Sequence, residues 1–375
     1  MFSSYEEVVL VTGFPSFRGR KMVMEQLSQS QKTLVYAIVH PKFAEQAKTF
    51  LEQLAPAERQ RVVVYEGDAA GIDMGLSGAE YRELAARVDR IHHVAQVTYP
   101  GVPRKLAEFV NVGAMREVLE FGRVCERLQC LVVHSSALVS GNRTGFVLEE
   151  ELEARQSFRS PVEETLARAE RLARSAMSEL PIAVVRPTQI VGDSRTGEVD
   201  RFDGPYLLIL LILSAPQDFP VLLPAKGDAP MNLVPIDYVV RAAHRIGQSP
   251  HAAGKTFHLA DPKPLTVRQV FELVAQSGGR RLPGGFIPSR VTKALLSTPG
   301  LSLVAKSPRA FVETITTPVR YDMRNTDDVL AGSEIHCPPF ESYVDALVSV
   351  VKQRVQERRE KQQENEEAEI EDPLS

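Results

Sequence analysis

The chain has 375 residues, 43% hydrophobic and 25% charged, with a formal net charge of −4. That length buries a sizeable core, as one large domain with an appended lobe or as two domains, and the mild acidity offers no footprint for nucleic acid or an anionic membrane surface. The three cysteines, Cys125, Cys130 and Cys337, are too few and too scattered for a disulfide framework or a metal site. Reduced thiols, no metal and a cytoplasmic location are expected.

The opening residues MFSSYEEVVLV lack the basic segment and long apolar stretch of an export signal. The stretch 7–19, EVVLVTGFPSFRG, is instead a β-branched run feeding a glycine-bearing turn, which reads as the first strand-turn-helix of a dinucleotide-binding sheet. Glycine lets backbone approach a pyrophosphate, and the following helix N-terminus offers N–H groups and partial positive charge. Thr12, Gly13, Phe14, Ser16, Phe17, Arg18 and Gly19 form this candidate cradle, with serine at position 16 where a second glycine is expected. A corner that needs glycine for packing alone is the competing reading.

A first helix is predicted over 21–30 and a second strand, apolar on both faces, over Thr33–Val39. An NAD site wants Asp or Glu at the end of that strand, whereas His40 and Lys42 stand there. With Arg18 and Arg20 they lean toward the 2′-phosphate of NADP. A merely solvated strand end is the alternative. A helix over 42–54, a strand over 61–65 and Gly67-Asp68 follow, with Asp68 where adenine would lie. Then come a strand over 90–95 ending at Ala95, a helix over 109–125 with Asn111 near its start, a strand over 131–136 and a sixth over 182–185. Strands alternating with helices mean an α/β chain with a Rossmann-type, doubly wound parallel sheet.

The ordered segments VTGFPSFRGR, GD, IHHVA, VNVGA, VVHSSALVSG, VVRPTQIVGDSRTG, NLVPIDYVV and GKTFHLAD resemble the extended short-chain dehydrogenase/reductase family. The segment VRPTQIVGDSRTG and the stretch TPVRYDMRNTDDVLAGSEIHCPPFESY are similar to its thioester-reductase and fatty-acyl-reductase branch. The resemblance implies a Rossmann core over 1–190, a smaller C-terminal substrate lobe with returning elements over 191–350, and a nicotinamide cofactor. NADP(H) is favoured, with NAD(H) or no nucleotide as alternatives. Arg186-Pro187 resembles the hinge into the substrate lobe.

In that family a serine polarises the substrate carbonyl, a tyrosine protonates it, and a lysine four residues on lowers the tyrosine's pKa. A phenol of pKa about 10 relays protons poorly near neutrality without a buried cation, and a helix puts i and i+4 on one face. Ser136, five residues before Gly141, matches the serine, and Asn111 resembles the asparagine that holds a relay water. The segment SPVEETLARAERLAR matches the catalytic helix on Pro161, Thr165, Ala169 and Glu170, yet Val162 stands at the tyrosine position and Leu166 at the lysine position. No other Tyr-x-x-x-Lys occurs in the chain.

Tyr99, with Lys105 near it in sequence, is a substitute acid to weigh. His134 is another, against a buried histidine with a backbone partner. Arg168 and Arg171 fit a solvated helix face. A catalytically degenerate member working through a protein partner is therefore expected, with an active reductase as the alternative. Asp193, Arg195 and Arg201 suit an anion or salt bridges within their loop. The run 207–213, LLILLIL, is too short for a membrane span and reads as a buried helix, an oligomer interface such as a homodimer's being the minority reading. Helices are also expected over 204–213, 237–246 and 267–275 and past Pro288, and the charged stretch 351–375 as a disordered tail.

Overall fold

The computed structural model describes residues 5–99, 101–202, 204–214, 227–280 and 317–371. The strands in chain order are β1 (Glu7–Phe14), β2 (Thr33–Val39), β3 (Val62–Glu66), β4 (Arg90–His93), β5 (Cys130–His134), β6 (Gly145–Val147), β7 (Ile182–Pro187), β8 (Gln189–Val191), β9 (Leu233–Pro235), β10 (Thr256–Leu259) and β11 (Val319–Tyr321). Among the described residues seven of them build one sheet in the order β10-β7-β5-β4-β1-β2-β3, every pairing parallel. This is the Rossmann-type arrangement, with the order reversing beside β1.

Alternate residues of these strands face opposite layers. Val9, Val11, Val35, Val132 and Val185 pack against the helices Phe17–Gln29 and Ile236–Gln248. Leu10, Tyr36, Ile91, Leu131 and Val184 pack against Ala114–Val124 and Pro161–Ser175 on the other side. Because both faces are covered, β2, β5 and β7 are buried at every residue, so the sequence there is apolar without alternation.

The chain divides into two compact units: Met1–Ile190 with Asn232–Pro262 and Thr317–Cys337, and Val191–Met231 with Lys263–Thr316 and Pro338–Ser375. The first holds the sheet. In the second, the apolar run lies in the helix Tyr206–Ser214, with Ile209 and Ile212 buried, and packs with the helix Val267–Gly278. The helices expected past Pro288, up to residue 316, lie outside the described residues.

Several boundaries differ from expectation for local reasons. The strand expected over 90–95 stops at His93, because Thr12 Oγ1 accepts from Val94 and Ala95 N–H at 3.2 and 3.3 Å. The first helix starts at Phe17, capped by Ser16. The helix expected over 109–125 opens with a wide π turn, Glu108–Gly113, where the Asn111 amide brackets Val97. The charged stretch expected to be disordered is helical as far as Glu371, continuing from Val344. Its Glu, Lys, Gln and Arg residues are strong helix formers, and Gln353–Glu357 and Gln356–Glu360 pair one turn apart.

The sheet buries imidazoles as well as apolar groups. Burial lowers His92 to about 3, His93 to about 4 and His258 to about 3. Below about pH 6.5 the unfolded chain binds protons that the folded rings refuse, so stability falls with pH by about 1.4 kcal/mol per unit for each such ring. The urea midpoint is expected to drop markedly between pH 7 and 5, before carboxylates titrate. A flat profile over that interval contradicts this reading.

Candidate functional site

The corner after β1 is packed backbone against backbone. Gly13 sits at φ +77°, and a Cβ there would lie 2.6 Å from Ala95 N; a Cβ on Gly19 would lie 2.8 Å from the Gly13 carbonyl oxygen. Both glycines are therefore required by the fold itself. Ser16 adopts φ −55°, ψ 159°, so no glycine is needed, and its Oγ accepts from Gly19 N at 3.2 Å. Ser16 O accepts from Arg20 N. The Phe17 and Arg18 N–H groups, first in the helix, have no intrahelical acceptor and suit an oxyanion. The corner thus fits a pyrophosphate group despite the serine.

At the end of β2 no carboxylate is present. His40 caps the turn Pro41–Phe43 by accepting from Lys42 N, and its Nε2 lies 4.0 Å from Asp68. His40 and Lys42 are exposed, as a phosphate contact requires. Arg18 and Arg20 do not join them as expected. Arg18 turns its Nη1 inward, out of solvent, and Arg20 donates to the Pro15 carbonyl and lies over the Phe17 ring.

The helix Pro161–Ser175 carries Val162 and Leu166, the residues that the resemblance sets at the tyrosine and lysine positions. Val162 and Leu166, each 2% exposed, belong to an apolar cluster with Val102, Ala107, Val139 and Leu152. Tyr99 packs against this cluster, while Lys105 is exposed. Asn111 is fully engaged: Oδ1 accepts from Val97 N, and Nδ2 donates to Val97 O and Thr165 Oγ1. Ser136 Oγ accepts from Leu138 N and caps the turn Ala137–Ser140. Both retained residues thus satisfy local backbone. Arg168 and Arg171 pair at the surface with Glu108 and Glu153.

Beneath these positions lies a charged network that motif reasoning did not assign. Arg186 is 1% exposed and grips Glu170, with Nη2 2.6 Å from Oε1 and Nε 2.9 Å from Oε2. Ser135 and Arg174 also donate to Glu170, and His258 Nε2 meets Arg186 Nη1 at 3.3 Å. Desolvation raises the Glu170 pKa, but Arg186, Arg174 and Ser135 outweigh it and hold the carboxyl below its usual range. The Arg186 guanidinium is spent inside the protein, and Pro187 ends β7 beside it. The match at Glu170 was the signal that could have found this pair, since a carboxylate on an apolar helix face needs a buried cation.

His134 has no backbone partner on its ring; Nε2 meets His92 Nδ1 at 3.1 Å and Nδ1 has none. It lines a cavity of about 10 Å³, room for one water, with Asn111, Ser135, Leu166 and Glu170. Among the described residues no group of three or more His, Cys, Asp or Glu side chains is placed to hold a metal, and no helix is long and apolar enough to cross a membrane.

A parallel sheet reversing at β1, a glycine-turn cradle and a serine-bearing β5 end define a Rossmann domain of the extended short-chain dehydrogenase/reductase type. Residues 11–243 match the NAD-binding family described as male sterility protein, and the chain belongs to that family. A linear gramicidin synthase of Brevibacillus parabrevis is 23% identical over 72% of this chain, and a glycine betaine reductase of Emericella nidulans is 26% identical over 57%. A fatty acyl-CoA reductase of Drosophila melanogaster is 23% identical over 62%. The matches cover 5%, 17% and 52% of those relatives. In fold, the chain is similar to the terminal R domain of the myxalamid pathway, with a TM-score of 0.78, 22% identity and coverage of 93% of this chain and 91% of that one. A UDP-glucuronic acid 4-epimerase of Bacillus cereus in complex with NAD has a TM-score of 0.66, 16% identity and coverage of 92% and 97%.

Removing one partner of a buried ion pair leaves the other uncompensated, at a cost of about 3–5 kcal/mol. Glu170→Ala is expected to lower the unfolding midpoint steeply, whereas Glu153→Ala, at the surface, leaves it nearly unmoved. Equal effects in chemical denaturation contradict the assignment. The stabilisation from the depressed Glu170 carboxyl is complete above about pH 4.5 and is lost as pH falls through its lower folded value.

Proposed function

We propose that this chain binds NADP(H) in the cradle of residues 13–19 and has lost ordinary carbonyl reduction, so that its output is contact with another protein or nucleotide sensing. The observation that carries the reading is the apolar burial of Val162 and Leu166, each 2% exposed, where proton donor and cation would stand. The cofactor, when bound, supplies a hydride. The chain's own residues bind and orient it: the Phe17 and Arg18 N–H groups face the phosphates, and exposed Lys42 beside His40, whose Nε2 lies 4.0 Å from Asp68, receives a 2′-phosphate. NAD(H) lacks that phosphate and binds more weakly.

Tyr99 supports a second reading, an active NADP(H)-dependent reductase of carbonyls or acyl thioesters, because it packs on the cluster holding the vacant positions. Tyr99→Phe separates the two: loss of a measured turnover supports the second reading, and its persistence removes Tyr99. For the first, calorimetry should give micromolar NADPH binding, with Lys42→Ala losing about tenfold for NADPH and little for NADH, the worth of one charge-assisted contact. Equal loss for both nucleotides contradicts the assignment of Lys42.

A further inference from the structure

The two edges of the seven-stranded sheet, β10 and β3, are finished differently. In a parallel sheet the N–H and C=O groups of alternate residues turn to opposite sides, so an edge strand leaves every second residue's pair unused by the sheet. β10 bonds to β7 through the Lys255 and Leu259 carbonyls, which accept from Val184 N and Thr188 N, and Thr256 and His258 therefore face outward. Side chains answer them. The buried Glu149 carboxylate accepts from His258 N at 2.9 Å, Thr326 Oγ1 donates to His258 O at 3.0 Å, and Asn325 Nδ2 donates to Thr256 O at 3.0 Å. Every residue of β10 is buried.

β3 has no such cover. Arg61 O accepts from Val35 N and Gly67 N donates to Val39 O, so the unbroken register with β2 turns the backbone of Val62, Val64 and Glu66 outward. Among the described residues no group hydrogen-bonds to the outward N–H and C=O of these three. Val64 is 37% exposed and Glu66 is exposed. The strand reads VVVYE, without the proline, lysine or bulge that commonly keeps an open edge from pairing.

An open edge of this kind accepts a further strand, main chain to main chain. The charges at its two ends say which strand fits. Exposed Arg59 precedes β3 and exposed Glu66 ends it, with about 15 Å of extended chain between them, too far to pair within one chain. A strand of the same sequence running the other way meets both ends with the opposite charge.

We propose that β3 is the interface with a second copy of this chain, the two strands running antiparallel about Val64 so that the two sheets become one. In that register Val64 faces the second copy's Val64, Val62 faces the second copy's Glu66, and the Arg59 end of each strand lies at the Glu66 end of the other. The contact is isologous and it closes. Both β3 edges are used up, and the capped β10 edges offer no site for growth into a filament. The proposal goes beyond the nucleotide reading of the cradle and does not depend on it.

The test is sedimentation of the full chain from about 1 to 100 micromolar, wild type beside Val64→Lys, Arg59→Glu and Arg59→Glu with Glu66→Arg. Wild type is expected to be a reversible dimer. Val64→Lys sets like charges opposite each other and is expected to weaken association at least about tenfold. Arg59→Glu is expected to weaken it as well, and adding Glu66→Arg to restore it, because the exchanged charges meet only between chains. A monomer at every concentration, as for an edge answered by water alone, overturns the proposal. So does a dimer that neither Val64→Lys nor Arg59→Glu weakens, since that dimer uses another face, and so does a double variant no better than Arg59→Glu. Should the variants fail to fold, amide hydrogen exchange of wild type decides. Exchange at Val64 is expected to slow as concentration rises while Val63 and Tyr65, bonded to β2, stay constant, and a Val64 amide indifferent to concentration refutes the interface.

Discussion

The buried pair of Glu170 and Arg186 fastens the helix Pro161–Ser175 to the end of β7, and through Ser135 and His258 to the ends of β5 and β10. At effective interior dielectrics such a pair is worth having only when every remaining lone pair and proton is answered. Here the answers come from Arg174 and Ser135 on the acid, and from His258 on the base. The consequence is that the helix Pro161–Ser175, with Val162 and Leu166 buried on it, is held in register with the sheet by its own ion pair. A scaffold held by its own ion pair does not need catalysis to keep its shape.

The same separation of shape from chemistry appears at the other retained positions. Asn111 brackets Val97 across the π turn, Ser136 caps the turn after β5, and Gly13 and Gly19 permit backbone contacts that any side chain would block. Each matches the family pattern for a reason the fold alone supplies. None of them can therefore be taken as a sign of retained turnover, and the pair that can, Val162 and Leu166, is apolar and buried.

Much of this was legible in the sequence because parallel strands covered on both faces write themselves as unbroken apolar runs. Thr33–Val39 matches its predicted bounds, and β1, β3, β4, β5 and β7 lie where β-branched runs predict them, within a few residues. The ends were harder, because they are set by side chains from elsewhere in the chain: Thr12 stops β4, and Ser16 starts a helix four residues early. Arg18 was misplaced, since its neighbours in sequence suggest a phosphate while its Nη1 turns inward. His134 was expected to find a backbone partner, but its partner is His92, on the adjacent strand, which only sheet order reveals. Glu170 matched a motif, but its cation, Arg186, is 16 residues away on a strand.

Titration of the full chain with NADPH and NADH by calorimetry, with NADPH absorbance followed in the presence of an aldehyde and an acyl thioester, tests the central claim most directly. Micromolar binding that prefers NADPH, with no consumption of it, is the result expected of a cradle kept without its proton relay. Turnover of order 1 per second, typical of enzymes, or no binding up to millimolar nucleotide, contradicts it.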